Sequence, residues 1–282
     1  MPELPEVETA RLGLLPVLQG ARLTRVEQRA PKLRWDFPDN FAERLGGRRV
    51  ERLERRAKYL LWHLDDGAVL IAHLGMTGSF RIFGGAYGPA PGPGKHDHAV
   101  FQTDGGHDIY FCDPRKFGMM VLSSANELPG HPLLAEIGPE PLGGDFTPEV
   151  LARRLAGRSG PIKTVLMDQK VVAGIGNIYA SEALFRAGIS PRRKASSVKG
   201  RRAEKLVEGI KTVLRDAIRS GGSSLRDHRQ ANGESGYFQH HFAVYGKTGE
   251  ACPGCDCSAA GDGIRQFKQA GRSTFYCPSR QR

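Results

Sequence analysis

The sequence lacks any long apolar segment, which argues against a helical membrane protein. Nowhere among its 282 residues are there about 20 consecutive apolar residues, the length that a membrane span requires. The first residues also differ from a secretory signal, because they carry Glu3, Glu6 and Glu8 in place of basic residues and an apolar core. Internal repeats and low-complexity tracts are absent as well. We therefore expect a soluble, cytoplasmic protein.

Cysteine is scarce, and its distribution argues against a disulfide framework. Of five cysteines, Cys112 stands alone and the other four lie close to the end of the chain. In a reducing cytosol, such a cluster is more typical of a metal site than of disulfides. The sequence therefore indicates a metal site formed by Cys252, Cys255, Cys257 and Cys277.

Acidic residues are outnumbered, and the excess of positive charge indicates a polyanionic partner. The chain has 41 Lys and Arg residues against 30 Asp and Glu residues, a formal net charge of +11. With 39% hydrophobic and 25% charged residues it has the composition of a folded globular protein. Nucleic acid is the first candidate partner, although a basic enzyme of another kind would have the same charge balance.

The first half of the chain predicts a β-sandwich or barrel preceded by one helix. From Leu23 to Leu122, short apolar runs are separated by Gly, Pro and Asp, and Asp104-Gly105-Gly106 lies between two such runs as in a β-hairpin. The preceding helix is indicated by apolar residues at helical spacing that stop at Gly20. These apolar residues are Val7, Leu12, Leu15 and Leu18.

The second half predicts helices. Residues 133–147 are rich in Pro and Gly and are interpreted as an interdomain linker. Thr147-Pro148 predicts an N-cap and the first position of a helix that continues through Leu155. A longer helix is predicted between Ser197 and Ser220, with one apolar face. A small helical domain with a cysteine-bearing tail follows from this pattern.

The first residues can supply a nucleophile. Methionine before a small residue is normally removed, which leaves Pro2 with a free secondary amine of pKa about 7.7–8.0. Such an amine can attack a sugar C1′ and form a cationic iminium, an electron sink, with Glu3 beside it to transfer protons. Taken alone, Pro followed by Glu is more typical of the start of a helix.

The longer string from Pro2 to Thr9 resembles the opening of the formamidopyrimidine-DNA glycosylase family of base-excision repair enzymes. Further strings resemble that family in the same order along both halves of the chain, and such a set is far more specific than one short motif. These strings are Arg56-Ala57-Lys58-Tyr59-Leu60, His73-Leu74-Gly75-Met76-Thr77-Gly78, Lys95-His96-Asp97-His98, Asp113-Pro114-Arg115-Lys116-Phe117-Gly118, Gly174-Ile175-Gly176-Asn177-Ile178-Tyr179-Ala180-Ser181-Glu182 and Gln269-Ala270-Gly271-Arg272-Ser273-Thr274-Phe275-Tyr276-Cys277.

The resemblance implies a bifunctional DNA glycosylase and abasic-site lyase. Pro2 would attack C1′ of the damaged nucleotide, Glu3 would donate and accept protons, and the Schiff base would permit β- and δ-elimination. Lys58 matches the family's β-elimination lysine, and Arg272 matches the finger arginine of δ-elimination. Because a guanidinium group does not readily lose its proton, Arg272 is interpreted here as a phosphate clamp.

The resemblance also implies a wedge that fills the void left by a flipped base. Met76 and Phe117 match its apolar members, and Arg115 matches the residue that faces the orphaned partner base. Without the family match, Met76 and Phe117 would be interpreted as core residues. The interpretation as a wedge therefore requires both to be exposed on loops.

Further matches concern the DNA backbone and a loop. His96, Arg158, Lys163 and Asn177 match family positions that grip phosphates, with Arg158 assigned by its distance from Lys163. Gly221–Phe238 matches the loop that closes over the everted base, and its length is itself typical of a functional loop. A plain surface linker is the alternative for this segment.

The cysteine pattern departs from the family's zinc finger, which has two Cys-x-x-Cys pairs separated by sixteen residues. Cys277 is in place, but Arg280 stands where the last cysteine is expected. One alternative is that Cys252, Cys255, Cys257 and Cys277 form a rearranged four-thiolate Zn²⁺ site. The other is a hairpin that packs without metal. The retention of four cysteines favours zinc.

Together these features predict an α+β protein. It comprises an N-terminal catalytic β-sandwich with an N-terminal helix at residues 1–132, the linker at 133–147, a helix-two-turn-helix domain at 148–245 and a zinc-finger-type β-hairpin at 246–282. We expect a monomer of the bacterial cytosol that acts on double-stranded DNA containing oxidised purines, chiefly 8-oxoguanine and formamidopyrimidines, or abasic sites. Two alternatives stay open: an endonuclease VIII-like preference for oxidised pyrimidines, and a non-catalytic protein that binds damaged DNA.

Overall fold

A computed structural model describes residues 2–223, 236–257 and 263–282. The chain divides into an N-terminal unit, Met1–Ala135 with Ser220–Tyr237, and a C-terminal unit, Glu136–Arg219 with Phe238–Arg282. Within the described ranges, no helix combines the length and the apolar character needed to cross a membrane.

The N-terminal unit contains one long helix, a short helix and two four-stranded antiparallel sheets. The sheets have the strand orders β1-β6-β7-β5 and β2-β3-β4-β8, which confirms the predicted sandwich. The elements are α1 (Leu4–Leu18), β1 (Leu23–Gln28), α2 (Phe41–Leu45), β2 (Val50–Arg56), β3 (Tyr59–Leu64), β4 (Ala68–His73), β5 (Ser79–Phe83), β6 (Asp97–Thr103), β7 (Asp108–Cys112) and β8 (Met119–Ser124).

The core of this unit is formed by apolar residues of α1 and of both sheets. At its centre the Trp62 ring lies 5.0 Å from the Phe101 ring and 5.6 Å from the Phe80 ring, measured between centroids. The strands alternate buried and half-buried residues where one face meets this core, as in β5. The predicted helix before the strands and the predicted β6–β7 hairpin are both confirmed.

An ion pair fixes α1 to the second sheet. Arg55 Nε on β2 donates to Glu8 Oε2 at 2.9 Å, and Arg11 Nη2 donates to Glu8 Oε1 at 2.7 Å. Burial acts to raise the pKa of Glu8, but the hydrogen bonds and charges of Arg11 and Arg55 outweigh it and hold the pKa below its ordinary value. The helix that carries the predicted nucleophile at its start is therefore anchored along its length.

The C-terminal unit is helical and ends in a two-stranded hairpin. Thr147 Oγ1 accepts a hydrogen bond from the Val150 amide at 3.3 Å, which confirms the predicted N-cap. The helices α5 and α6 pack closely, because a side chain at Gly209 would lie 2.9 Å from the Ala183 carbonyl. The elements are α3 (Pro148–Leu155), α4 (Ile162–Leu166), α5 (Asn177–Ala187), α6 (Arg201–Arg219), β9 (Arg265–Gln269) and β10 (Arg272–Tyr276).

The hairpin turns at two residues with positive φ. Ala270 has φ 47° and Gly271 has φ 74°, the pattern of a type I′ turn that suits the twist of two antiparallel strands. On one face of the hairpin, the Arg192 guanidinium lies 4.0 Å from the Phe267 ring centroid and 5.8 Å from that of Tyr276. The turn places Arg272 at the first position of β10.

Candidate functional site

The predicted nucleophile precedes α1 directly. Pro2 is buried, and the side chain of Glu3, the N-cap of the helix, is 2% exposed. Glu6 Oε2 accepts a hydrogen bond from the Glu3 amide at 2.9 Å in a reciprocal capping box. A helix N-terminus favours negative charge, so this position stabilises the Glu3 carboxylate beside Pro2.

The other oxygen of Glu6 holds the start of the predicted loop. Ser223 donates from both its amide and its hydroxyl to Glu6 Oε1, each at 2.8 Å. Gly222 has φ +77°, and a side chain there would lie 3.3 Å from Glu6 Cγ. The central part of the predicted loop, residues 224–235, lies outside the described residues. Glu6 therefore links the first turn of α1 to the residue that precedes this segment.

Lys58 lies at the turn between β2 and β3. Ala57 adopts φ 53° there, and Lys58 is 7% exposed. Burial, together with the charges of Lys58 and Arg34, lowers the pKa of His73 to about 4. The neutral ring accepts a hydrogen bond at Nδ1 from the Gly75 amide at 3.0 Å. A buried lysine and a neutral histidine thus lie near each other, and the histidine is hydrogen-bonded to the loop that carries Met76.

The predicted wedge residues are exposed on loops, as that interpretation requires. Met76 is 40% exposed after β4, and Phe117 is 42% exposed after β7. The Arg115 guanidinium lies 4.6 Å from the centroid of the Phe117 ring. Two apolar side chains and one cation therefore project from this end of the sandwich.

His96 lies on an exposed turn before β6 whose shape depends on a residue without a predicted role. Asp97 is 2% exposed and accepts hydrogen bonds from the Gly94 amide at 2.7 Å and from Arg81 Nη2 at 2.5 Å. This buried carboxylate fixes the turn that presents His96.

Lys163 and Asn177 point into the C-terminal unit. Lys163 is 1% exposed, and its Nζ donates to Asn177 Oδ1 at 2.5 Å, Thr274 Oγ1 at 2.8 Å and the Ser273 carbonyl at 3.2 Å. Asn177 Nδ2 also donates to the Ser273 carbonyl, at 3.0 Å. In this arrangement both side chains bind β10, and their direct contact with phosphates stays a prediction.

One further predicted site residue lines an open cavity of about 260 Å³ in the same unit, and another bonds to its lining. Arg272 is exposed at its edge, and Arg158 Nη1 donates to Asp168 Oδ2, a lining residue, at 2.9 Å. The lining residues are Lys163, Thr164, Met167, Asp168, Gln269, Ala270 and Arg272. Arg272 thus lines this cavity, and Arg158 is joined to it through Asp168.

The four C-terminal cysteines are brought together. All four Sγ atoms lie within 4.8 Å of one another, with 3.1 Å between Cys252 and Cys255 and 3.5 Å between Cys255 and Cys277. Four thiolates in a tetrahedron around Zn²⁺, at about 2.3 Å from the ion, are about 3.8 Å apart. The donor set and its spacing therefore fit a zinc ion.

Both halves of the chain match known protein families. Residues 1–120 match the family model of the formamidopyrimidine-DNA glycosylase N-terminal domain, and residues 137–229 match that of the H2TH domain. Proteins named formamidopyrimidine-DNA glycosylase from Rhodospirillum rubrum and Azorhizobium caulinodans are 57% and 56% identical, with all of each chain covered. The chain belongs to the formamidopyrimidine-DNA glycosylase family.

Solved structures of this family share the fold. The Lactococcus lactis Fpg complex with abasic-site DNA has a TM-score of 0.87 at 34% identity, covering 99% of both chains. An L. lactis Fpg mutant with Fapy-dG DNA has a TM-score of 0.88 at 35% identity, and MutM with carbocyclic 8-oxo-G DNA one of 0.87 at 35%, each covering both chains fully. The predicted family and fold are thereby confirmed.

The structure explains the departure from the family's cysteine pattern. Arg280 Nη1 donates to the Gly254 carbonyl at 3.4 Å, and its guanidinium lies 5.1 Å from the Phe185 ring centroid. Cys257, two residues after Cys255, supplies the fourth thiol of the cluster. Arg280 thus packs over the Cys252–Cys255 turn, and the fourth thiol of the cluster comes from Cys257, just after that turn.

Sequence reasoning assigned no role to Glu182, although it lies within one of the family strings. Glu182 is fully buried and accepts hydrogen bonds from the amides of Ala243, Val244 and Tyr245 at 2.8–2.9 Å. Burial raises its pKa, against the opposing effect of these three donors. The Tyr245 ring packs 4.9 Å from Phe275 of β10. The signal available for Glu182 was an acidic residue within a helix that is otherwise buried.

Proposed function

We propose that this chain is a DNA glycosylase of base excision repair that excises oxidised purines from double-stranded DNA and then cleaves the strand as an abasic-site lyase. The observation that carries the proposal is the position of Pro2 directly before α1, with the buried carboxylate of Glu3 beside it. Relatives that bear the glycosylase name, and family structures bound to abasic-site, Fapy-dG and 8-oxo-G DNA, support it.

The reaction begins at the amine of Pro2, once Met1 has been removed. The amine's lone pair forms a bond to C1′, and the glycosidic bond breaks with its electron pair leaving on the base, which takes up a proton. The bonded nitrogen then passes its proton to the Glu3 carboxylate, Glu3 delivers that proton to O4′ as the sugar ring opens, and the C1′–N bond becomes a cationic iminium. Pro2 is a secondary amine, so this iminium has no N–H proton to lose and stays cationic until a C2′ proton is removed.

Strand cleavage follows from the iminium. Loss of a C2′ proton expels the 3′ phosphate with the electrons of the C3′–O bond, and loss of the C4′ proton then expels the 5′ phosphate with the electrons of the C5′–O bond. Hydrolysis of the Schiff base then restores the amine. Lys58 is assigned to the first elimination, and Arg272 to stabilising a departing phosphate.

Binding to duplex DNA engages two kinds of residues. Met76, Phe117 and Arg115 fill the void left by the flipped nucleotide. His96 and Arg158 contact the phosphates, while Lys163 and Asn177 hold the hairpin strand that presents Arg272. Each neutralised phosphate contributes about −0.9 to the slope of log affinity against log salt, so binding weakens steeply as salt is raised.

Zinc is assigned a structural role at Cys252, Cys255, Cys257 and Cys277. A closed four-thiolate site supplies folding free energy and takes no part in the bond changes. We expect one zinc per chain by elemental analysis, and loss of most of it in Cys257→Ser. Cys112→Ser, which alters a half-buried cysteine outside the cluster, serves as the matched control. Retention of full zinc by Cys257→Ser would contradict the assignment of this fourth ligand.

The deciding experiment is borohydride trapping on a duplex with one 8-oxoguanine opposite cytosine. We expect a covalent adduct that mass spectrometry maps to Pro2, and much less adduct with Pro2→Gly, whose primary amine forms an imine that can lose its charge. Pro16→Gly, the same change at an exposed position of α1, is the control that keeps the adduct. Tight binding without any adduct would favour a non-catalytic protein, and active protein that retains Met1 would exclude the Pro2 mechanism.

A further inference from the structure

The two loops that carry the wedge residues touch through their backbones. The Met76 loop comprises residues 74–78, and the Phe117 loop comprises residues 113–118. Gly75 has φ +63°, and a side chain there would overlap the backbone of Phe117 and Gly118. The two loops are in contact here and cannot come closer. Their relative position therefore depends on the bonds that keep them from separating.

A buried carboxylate joins them. Asp113 is fully buried, and its Oδ1 accepts a hydrogen bond from the Thr77 hydroxyl at 2.5 Å across 36 positions of sequence. Its Oδ2 accepts one from the Gly118 amide at 2.7 Å. The Thr77 oxygen in turn accepts the Arg115 amide at 3.2 Å. Two of these hydrogen bonds therefore connect the two loops, and the third closes the Phe117 loop on the same carboxylate.

The backbone of Asp113 is held equally firmly. Its carbonyl accepts hydrogen bonds from His98 Nε2 at 2.9 Å and from the Lys116 amide at 3.1 Å. Its amide donates to the His96 carbonyl at 2.9 Å. The carboxylate is thus a fixed point of the sandwich to which both loops are attached.

The residues beside this bridge project outward. Met76 precedes Thr77, Phe117 precedes Gly118, and both side chains are about two-fifths exposed. Wedging into a duplex opposes base stacking, which costs a few kcal/mol per step. Loops that gave way under that load would leave the stack closed, so a wedge needs a rigid base.

We propose that Thr77 and Asp113 are positioning residues that lock the two loops into one wedge. Their contribution is to the opening of the duplex and not to the bond changes at Pro2. The inference rests on the proposed glycosylase function. The proposed role separates the opening of the duplex from the bond changes at Pro2. A different DNA substrate can therefore test each of these two steps.

The test compares Thr77→Val with Thr77→Ser. Valine keeps the shape of threonine but leaves the Arg115 amide and the Asp113 carboxylate without their partner, whereas serine keeps the hydroxyl. We expect Thr77→Val to lower the single-turnover rate of 8-oxoguanine excision from duplex about 10-fold or more, the loss of one hydrogen bond to a buried charge. Thr77→Ser should restore the rate to within about 3-fold of wild type.

The second substrate is a single-stranded oligonucleotide with an abasic site, which has no stack to open. On it we expect Thr77→Val to cleave within about 2-fold of the wild-type rate. The matched control is Thr103→Val, because Thr103 is also buried and its hydroxyl bonds to the backbone of His107, at the β6–β7 turn. This control should leave the ratio of the two rates unchanged.

A spectroscopic readout separates positioning from general structural support. 2-Aminopurine placed beside the lesion gains fluorescence when its stacking is lost, and this gain should be slower or smaller with Thr77→Val than with wild type or Thr103→Val. Urea unfolding of each variant accompanies the assay. Should Thr77→Val fail to fold, Asp113→Asn, which places an amide group where the Gly118 and Thr77 donors need acceptors, provides the second variant.

The outcomes are distinct. Equal loss on both substrates, or an unchanged rate on both, would overturn the positioning role while leaving the glycosylase function intact. Failure of wild-type protein to cleave either substrate would instead reject the proposed function itself. A loss confined to the duplex substrate, with the reduced 2-aminopurine signal, supports the bridge.

Discussion

The loops of the N-terminal unit are fixed by buried anions, whereas the hairpin of the C-terminal unit is fixed by a buried cation. Asp97 and Asp113 accept the amides of Gly94 and Gly118, while Lys163 donates to the carbonyl of Ser273. The difference follows from the backbone group that each segment directs inward. A turn that buries its amides requires an acceptor, and a strand that buries a carbonyl requires a donor.

The C-terminal unit shows that the sign of the buried charge depends on the backbone groups of the segment it binds, and not on the unit it lies in. Glu182 lies in the same unit as Lys163, yet it is a carboxylate, because residues 243–245 direct three amides toward it. Substitutions that alter these buried charges should therefore cost stability in proportion to the number of hydrogen bonds that they remove.

The largest effect is expected from Lys163→Met. Methionine fills much of the same space but removes the Lys163 donor to Asn177 Oδ1 and Thr274 Oγ1 and one of the two donors to the Ser273 carbonyl. We expect a loss of about 3 kcal/mol in the free energy of unfolding, measured in urea, with faster hydrogen exchange in β10. The control, Lys199→Met at an exposed position, should change stability by less than about 0.5 kcal/mol. Equal stability of Lys163→Met and Lys199→Met would contradict the claim that a buried cation fixes the hairpin.

A smaller effect is expected from Glu182→Gln. The glutamine oxygen can still accept hydrogen bonds, but its NH₂ group faces one of the three amides and the negative charge is lost. We expect a loss of about 2 kcal/mol in the free energy of unfolding. Glu204→Gln, an exposed change in α6, is the matched control. A loss no larger than that of the control would show that residues 243–245 are held by other contacts.

The smallest effect is a pH dependence at His73. Its pKa is about 4 in the folded chain against an ordinary 6.5, so the unfolded chain binds a proton first as the pH falls. The contribution to stability is complete above pH 6.5 and is lost progressively as the pH falls toward 4. Relative to His73→Gln, wild type should lose about 1 kcal/mol between pH 7.5 and pH 5.5. The matched control is His96→Gln, and a constant difference between wild type and His73→Gln would contradict the burial of a neutral ring.

The sequence predicts the elements of this fold better than the contacts between them. Apolar spacing, the Thr147-Pro148 cap and the Asp104-Gly105-Gly106 turn are local signals, and the structure confirms each of them. The family strings identified the chain's relatives, which the comparisons confirm. The proposed catalytic roles of Pro2 and Glu3 stay predictions.

The contacts that sequence reasoning missed are long-range. Asp113 meets Thr77 across 36 positions, and Lys163 meets Ser273 across 110, separations at which local periodicity carries no information. Both partners of each pair are polar residues that composition assigns to the surface. Only the fold shows that Lys163 lies inside, which is why its prediction as a phosphate contact did not include its role at the hairpin.

The contact of the Arg192 guanidinium with Phe267 and Tyr276 has a consequence for pairing of the hairpin with another chain. A two-stranded hairpin has an open edge on each strand, and exposed aromatic faces beside such edges invite pairing with another chain. Arg192 covers the aromatic face with a charged plane, while Arg265, Lys268 and Arg272 place charges along both strands. A second hairpin approaching edge to edge would have to bring these positive charges together. These positive charges therefore oppose edge-to-edge pairing of two hairpins.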